Sequence, residues 1–252
     1  MAGSQAVPLI QVRALTRHDE FQDAVNLQQQ IWGFADADLL PVRLFVVATK
    51  VGGQAFGAYD GDRMVGFCLA IPGLKPKGGY YLHSHMLGVL PEYRNAGVGR
   101  LLKLEQRQEA LTRGIDLIEW TFDPLELKNA FFNMERLGAI VRRYLPNQYG
   151  ITSSVLHGGL PTDRLVAEWW ISSPRAVLIT AGMSFERPNV ETRIAFPNDI
   201  ADIRAQDPQR ARSIQAAAGE QFKECFGRGL SVIGFEKTPE SGVYLIGKWE
   251  SS

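Results

Sequence analysis

Hydrophobic and polar positions along the 252 residues change period several times, and each change predicts an element. Behind a capping-box-like start at Thr16, Arg17, His18 and Asp19, the residues Phe21, Ala24, Val25, Leu27, Gln28 and Ile31 recur at helical spacing up to Trp32. After a loop around Asp36 and Asp38, Pro41 opens a second helix over Val42–Val51, which Gly52 and Gly53 close. Two strands follow, Ala55–Tyr59 and Met64–Ile71, on either side of Asp60, Gly61 and Asp62; an Asp-Gly pair between apolar runs is a hairpin signal. Pro72–Gly79 reads as a loop and Tyr80–Val89 as a longer strand. From Gly97 the period is again helical, with Val98, Leu101, Leu102, Leu104 and Leu111 inward and Gly114 as a stop. Ile115–Phe122 is then a strand, Glu126–Leu137 a helix ended by Gly138, and Ala139–Tyr144 a strand.

Beyond Gly150 the texture changes. Gly158, Gly159 and Pro161 mark a loop, Arg164–Ile171 reads as a strand and Pro174–Ala181 as a short helix. Asp207 and Pro208 form the cap and first turn of a helix bearing Ala211, Ile214, Ala218, Phe222 and Cys225, and Ser231–Glu236 and Val243–Trp249 close the chain as strands. This order predicts an α/β fold: a mixed central sheet with helices on both faces. A soft boundary gives a main domain over residues 1–160 and a smaller C-terminal α/β extension over residues 161–252, which suits a dimer contact or a lid.

With 45% hydrophobic and 21% charged residues the chain supports a substantial core, which excludes disorder over most of its length. Twenty-seven basic residues balance 27 acidic ones, so net charge gives no reason to expect nucleic acid. Apolar runs such as Leu44–Ala48 fall far short of the ~20 residues that cross a bilayer, which argues against a membrane protein. Met1–Arg13 has neither a basic start nor a long apolar segment, so the expectation is a cytoplasmic protein. Cys68 and Cys225, without CxxC spacing, read as free core thiols.

The most informative stretch runs from Leu87 to Leu102, where a strand enters a glycine-containing loop and then a helix. Such a junction leaves backbone N–H groups unpaired at a helix N-terminus, where the dipole also favours negative charge, so it is a ready phosphate site. The same two glycines, Gly97 and Gly99, also serve a merely tight turn. A dinucleotide fingerprint needs glycine where Leu102 stands, and a P-loop needs a Gly-Lys-Ser/Thr that is absent, which disfavours nicotinamide and ATP chemistry.

The pattern Arg94-x-x-Gly97-x-Gly99 resembles the signature of the GNAT acyltransferases, and the order of elements around it is similar too. Leu87 and Val89 stand at the apolar-x-apolar strand end, and Leu137-Gly138 at the Leu-Gly motif closing the second helix. The resemblance covers roughly residues 10–150; the remainder, with Asp163-Arg164-Leu165 and Glu168-Trp169, is similar to a bacterial GNAT subgroup with a C-terminal extension, some of whose members sit near amino-acid racemases and use succinyl-CoA. The resemblance implies a GNAT-like sheet in which acyl-CoA lies in a V-shaped opening between the strand ending at Val89 and the strand starting near Ile115. It implies that the backbone of Leu87 and Val89 pairs with the pantetheine arm. The amides of Asn95, Gly97, Val98, Gly99 and Arg100 then hold the pyrophosphate, Arg94 adds charge or fixes the loop, and Asn129 and Phe132 flank the other end of the cofactor, Phe132 serving equally as plain core.

Direct attack of an amine on a thioester calls for a base, for donors to the developing oxyanion and sometimes for an acid. The family's usual acid is a tyrosine four residues before the Leu-Gly glycine; here that position is Met134, leaving Tyr144, Tyr149 or water to protonate the thiolate. His83 and His85 lie two apart on a strand, share a face and titrate near neutrality, so both are candidate bases as well as candidate structural histidines. Glu119 on the next strand competes as base, because related enzymes often carry glutamate there, or is a solvated strand residue. A metal site is disfavoured, since His18 and His157 stand apart and no Cys or carboxylate cluster accompanies the histidines. Arg142 and Arg143 suit a substrate carboxylate or a solvated pair, and Trp169 and Trp170 suit core or interface. The expectation is an acyl-CoA-dependent N-acyltransferase, with an acetyl or succinyl donor and a small amine or amino acid as acceptor. The alternative, prompted by Met134, is a non-catalytic acyl-CoA sensor or interaction module.

Overall fold

The computed structural model describes residues 9–75, 78–150 and 160–249. The readings made at Met1–Pro8, His157, Gly158 and Gly159 lie outside them. The chain forms two compact units, Met1–Ile115 and Asp116–Ser252.

The first unit contains β1 (Ile10–Ala14), α1 (His18–Trp32), α2 (Val42–Lys50), β2 (Gln54–Asp60), β3 (Arg63–Leu74), β4 (Tyr80–Val89) and α3 (Val98–Thr112). Its strands run in the order β1-β2-β3-β4, each pair antiparallel. Glu20, in the first turn of α1, reaches back to accept the amides of Thr16 at 2.9 Å and Arg17 at 3.0 Å, which fixes the entry of the chain into the helix. Gly61, at φ 58°, makes the turn between β2 and β3, where only two residues separate Asp60 from Arg63 and a left-handed residue is needed. One face of this sheet packs on α1 and α2: Phe67 meets Trp32 edge-on at 6.0 Å and Phe45 at 6.0 Å. The residue before it, Gly66, faces Leu102 of α3, so helices cover both faces. The Pro72–Gly79 loop is shorter than its composition predicts. β3 runs on to Leu74, paired with Tyr80, and Gly73 fits there because a Cβ would lie 2.3 Å from the ring of Tyr81.

The second unit contains β5 (Leu117–Phe122), α4 (Leu127–Phe131), β6 (Ile140–Leu145), β7 (Arg164–Trp170), α5 (Pro174–Thr180), β8 (Thr192–Pro197), α6 (Ile200–Gln206), α7 (Pro208–Gly227), β9 (Ser231–Lys237) and β10 (Ser241–Gly247). Here the order is β5-β7-β6-β9-β10-β8, and the described pairings are antiparallel. Asp207 caps α7 through the amide of Arg210 at 3.0 Å, with Pro208 in the first turn as the sequence predicts. The core of this unit is aromatic: Phe222 stacks on Tyr144 and meets Tyr244 edge-on at 5.3 Å, and Phe235 meets Tyr244 at 5.0 Å.

The predicted Glu126–Leu137 helix is observed as α4 running into a π-helical turn, Phe132–Arg136. Leu137 donates to Phe132 at 3.2 Å and Ala139 to Asn133 at 2.9 Å, and the carbonyls of Met134 and Gly138 are taken by the buried Arg175 of α5. The architecture is therefore α/β with mostly antiparallel sheet and flanking helices. Among the described residues, no helix is long and apolar enough to cross a membrane.

Candidate functional site

In the first unit β4 leads through a 3-10 turn, Pro91–Tyr93, and a loop into α3. The turn is pinned by Tyr93 donating to Asp60 at 2.7 Å and by Arg63 paired with Glu92 at 2.8 Å. Arg94 donates to the carbonyls of Val89 and Ile31, each at 3.4 Å, and so ties the loop to its own strand end. Asn95 at φ 63° and Gly97 at φ 84° are left-handed, a conformation from which anion-binding concavities are built. The amides of Asn95, Gly97, Val98 and Gly99 make no hydrogen bond among the described residues, whereas that of Arg100 donates to Gly97 at 2.9 Å. A Cβ on Gly97 would meet nothing within 4 Å, and one on Gly99 would touch Leu87 at 3.5 Å. Four free donors at the positive end of a fifteen-residue helix, with open space above Gly97, fit a pyrophosphate.

Upstream on β4 the register against β3 shifts between Leu69 and Ala70, leaving His85 as the extra residue of a bulge. The rings of His83 and His85 stand 6.0 Å apart. His85 keeps an exposed surface, yet the surrounding protein desolvates it and lowers its pKa below 6.5, so the neutral form is favoured. Ser84, between them, points the other way into a buried network that the sequence did not disclose. Lys103 of α3 donates to Ser84 at 2.7 Å, and Ser84 donates to Gln106 at 3.1 Å. Burial holds Lys103 at about 7 and raises the nearby Cys68 to about 12.

In the second unit Glu119 sits directly opposite Glu168 in the β5–β7 pairing. Glu119 is held by Arg143 at 2.6 Å and Glu168 by Arg142, whose Nε lies at 3.1 Å. The hydroxyls of Thr121 and Tyr149 are 3.0 Å apart. Tyr144, the other alternative acid, lies in the core against Phe222 and donates to Asp163; burial and that carboxylate push its pKa well up. Asn129 is exposed on α4, Phe132 half-buried at the start of the π turn, and Met134 wholly buried. Among the described residues no three His, Cys, Asp or Glu side chains are grouped as metal ligands.

Residues 19–138 match the model of the acetyltransferase (GNAT) family. No curated protein matches the sequence. Among solved structures, the fold is similar to the ribosomal-protein-S18-alanine N-acetyltransferase of Escherichia coli, with 18% identity and TM-score 0.51 over 65% of this chain and 95% of that one. It is similar also to Arabidopsis thaliana Naa50 in complex with a CoA bisubstrate analogue, with 17% identity and TM-score 0.50 over 63% and 97%. A third is Arabidopsis thaliana NAA60, also with a bisubstrate analogue, at 15% identity and TM-score 0.52 over 64% and 97%. These likenesses carry the fold. The chain thus carries a GNAT acetyltransferase domain at residues 19–138, which supports an acyltransferase enzyme.

Proposed function

We propose that this protein moves an acetyl or succinyl group from acyl-CoA to the nitrogen of a small amine or amino acid, by direct attack of the amine on the thioester. The observation that carries the reading is the set of unbonded amides at Asn95, Gly97, Val98 and Gly99, at the start of α3 and one short turn beyond the end of β4. In this reading those amides and Arg94 serve the pyrophosphate, the backbone of Leu87 and Val89 serves the pantetheine arm, and Asn129 and Phe132 serve the far end of the cofactor. The amide of Arg100 already donates to the carbonyl of Gly97 at 2.9 Å in the first turn of α3, so it is not among the open donors.

A substrate ammonium must lose a proton before it attacks. His85, desolvated and therefore mostly neutral near pH 7, accepts that proton, with His83 beside it to pass the proton on. Glu119, tied to Arg143, is the second base. The bulge at His85 leaves strand backbone out of register, a source of donors for the oxyanion. Tyr149 returns a proton to the departing thiolate in place of the tyrosine that Met134 replaces. The two buried thiols, Cys68 and Cys225, fit a reducing compartment and so a cytoplasmic setting.

The test is a thiol-release assay with acetyl-CoA and succinyl-CoA against pooled amino acids and polyamines, followed by mass measurement of the product. An N-acylated product supports the reading. CoA binding without release from any pool points instead to the sensor.

A further inference from the structure

Four buried polar side chains, Gln54, Ser84, Lys103 and Gln106, meet between α3 and the sheet of the first unit, a place that apolar side chains of similar size fill at less desolvation cost. Gln54 of β2 pairs with Ala70 of β3, and Ala70 with Ser84 of β4, so the three form one row across the sheet. Helix α3 holds both ends of this row. Gln54 donates to the carbonyl of Gln106 at 2.9 Å and to Glu109, while Ser84 accepts from Lys103 at 2.7 Å and donates to the Gln106 side chain at 3.1 Å. Lys103 and Gln106 stand three apart on one face of the helix, which is why both reach the same hydroxyl.

The row borders the bulge of β4. On a regular strand, residues three apart face opposite ways. Ser84 and Leu87 nevertheless both face α3, Ser84 on Lys103 and Leu87 against Gly99, whose Cβ would lie 3.5 Å from it. His85, the extra residue between them, makes this possible. Gly88, beside Leu87, faces α1 instead, since a Cβ there would meet Trp32 at 2.6 Å. If β4 slipped by one residue into regular pairing, Ser84 would turn to the opposite face and lose both Lys103 and Gln106. The grip on Ser84 therefore selects the bulged register, and with it the place of His85.

We propose that Lys103 and Gln106 are positioning residues for acyl transfer: by gripping Ser84 they hold the bulge that sets the ring of His85 and the strand backbone beside it. The inference rests on the acyl-transfer reading and deepens it. The open amides lie at the start of the same helix, so the phosphate loop and the bulge are both set by one rigid element.

The test compares the wild type with Lys103→Met, Ser84→Ala and Ser84→Thr by thermal melting, by thiol release and by hydrogen exchange of the β4 amides. Lys103→Met, similar in size and uncharged, should melt no lower than the wild type at pH 7. Its kcat should nonetheless fall by roughly 10- to 100-fold, with KM for acyl-CoA within about twofold of the wild type. Ser84→Ala should lose as much, and Ser84→Thr, which keeps the hydroxyl, should recover part of it. In Lys103→Met and Ser84→Ala the amides of residues 83–87 should exchange faster while those of β2 stay as they are. If Ser84→Ala does not fold, Lys103→Met carries the test alone. Wild-type kcat in Lys103→Met, a kcat loss matched by loss of folded protein, or unchanged exchange along residues 83–87 overturns the positioning role and leaves acyl transfer standing. Absence of thiol release from the wild type with every donor and acceptor overturns both.

Discussion

Lys103 Nζ donates to Ser84 Oγ at 2.7 Å inside the first unit, joining the helix that follows the glycine loop to the strand that precedes it. Burial holds this amine at about 7 against an ordinary 10.5. Between those values the unfolded chain binds more protons than the folded one, so folding stability rises with pH across that window. At and below pH 7 the folded state carries the full cost of a charged amine in the interior. The wild-type melting temperature should therefore climb from pH 7 to pH 10 relative to Lys103→Met. Parallel curves for the two proteins would show that Lys103 titrates as an exposed lysine does.

Gly97 combines a left-handed backbone with open space above it. Gly97→Val should cost the fold about 1–2 kcal/mol for the strained backbone. It should also lower CoA affinity by roughly tenfold or more, since the side chain enters the space in front of the free amides. Melting curves and CoA titration of the same variant separate the two effects; unchanged affinity contradicts the loop assignment.

His85, desolvated below its ordinary 6.5, stays neutral through pH 7. The wild-type kcat/KM should then fall only on the acid side of neutrality as this base becomes protonated. His85→Ala should lose about 100-fold or more in kcat and flatten that limb. If His83→Ala, His85→Ala and Glu119→Ala each turn over at the wild-type rate across the pH range, the base assignment is wrong.

Arg175 is buried and fixes the π turn through the carbonyls of Gly138 at 3.0 Å and Met134 at 3.1 Å. Arg175→Met leaves both acceptors unpaired in the interior and should cost about 2–4 kcal/mol. Thermal unfolding should show this as a fall of roughly 5–10 °C. A smaller change would mean that the turn holds itself.

The strongly periodic elements were legible in the sequence. α1, α3 and α7 carry long apolar stripes and explicit caps or stops, and the β2–β3 hairpin carries its Asp-Gly turn. β1, β8 and α6 were missed because each is short: β1 has two inward positions, β8 shows Ile194 and Phe196 alone, and α6 shows Ile200 and Ile203. The π turn escaped because one extra residue in a helical period leaves composition unchanged; only Arg175, far along the chain, shows where the freed carbonyls go. The loop at residues 94–99 was readable, since glycine spacing is local. The partners of Glu119, Arg142 and Ser84 were not. Arg143 and Glu168 meet Glu119 through a bulge and strand pairing, and Lys103 meets Ser84 across the sheet face, none of which spacing reveals.

Calorimetric titration of the folded protein with CoA tests the central claim most directly. The account predicts saturable binding at one site per chain, weakened in Gly97→Val and at high salt, as a pyrophosphate on a helix N-terminus requires. Folded protein that shows no binding to CoA, acetyl-CoA or succinyl-CoA would contradict the phosphate-loop assignment and the acyl transfer built on it.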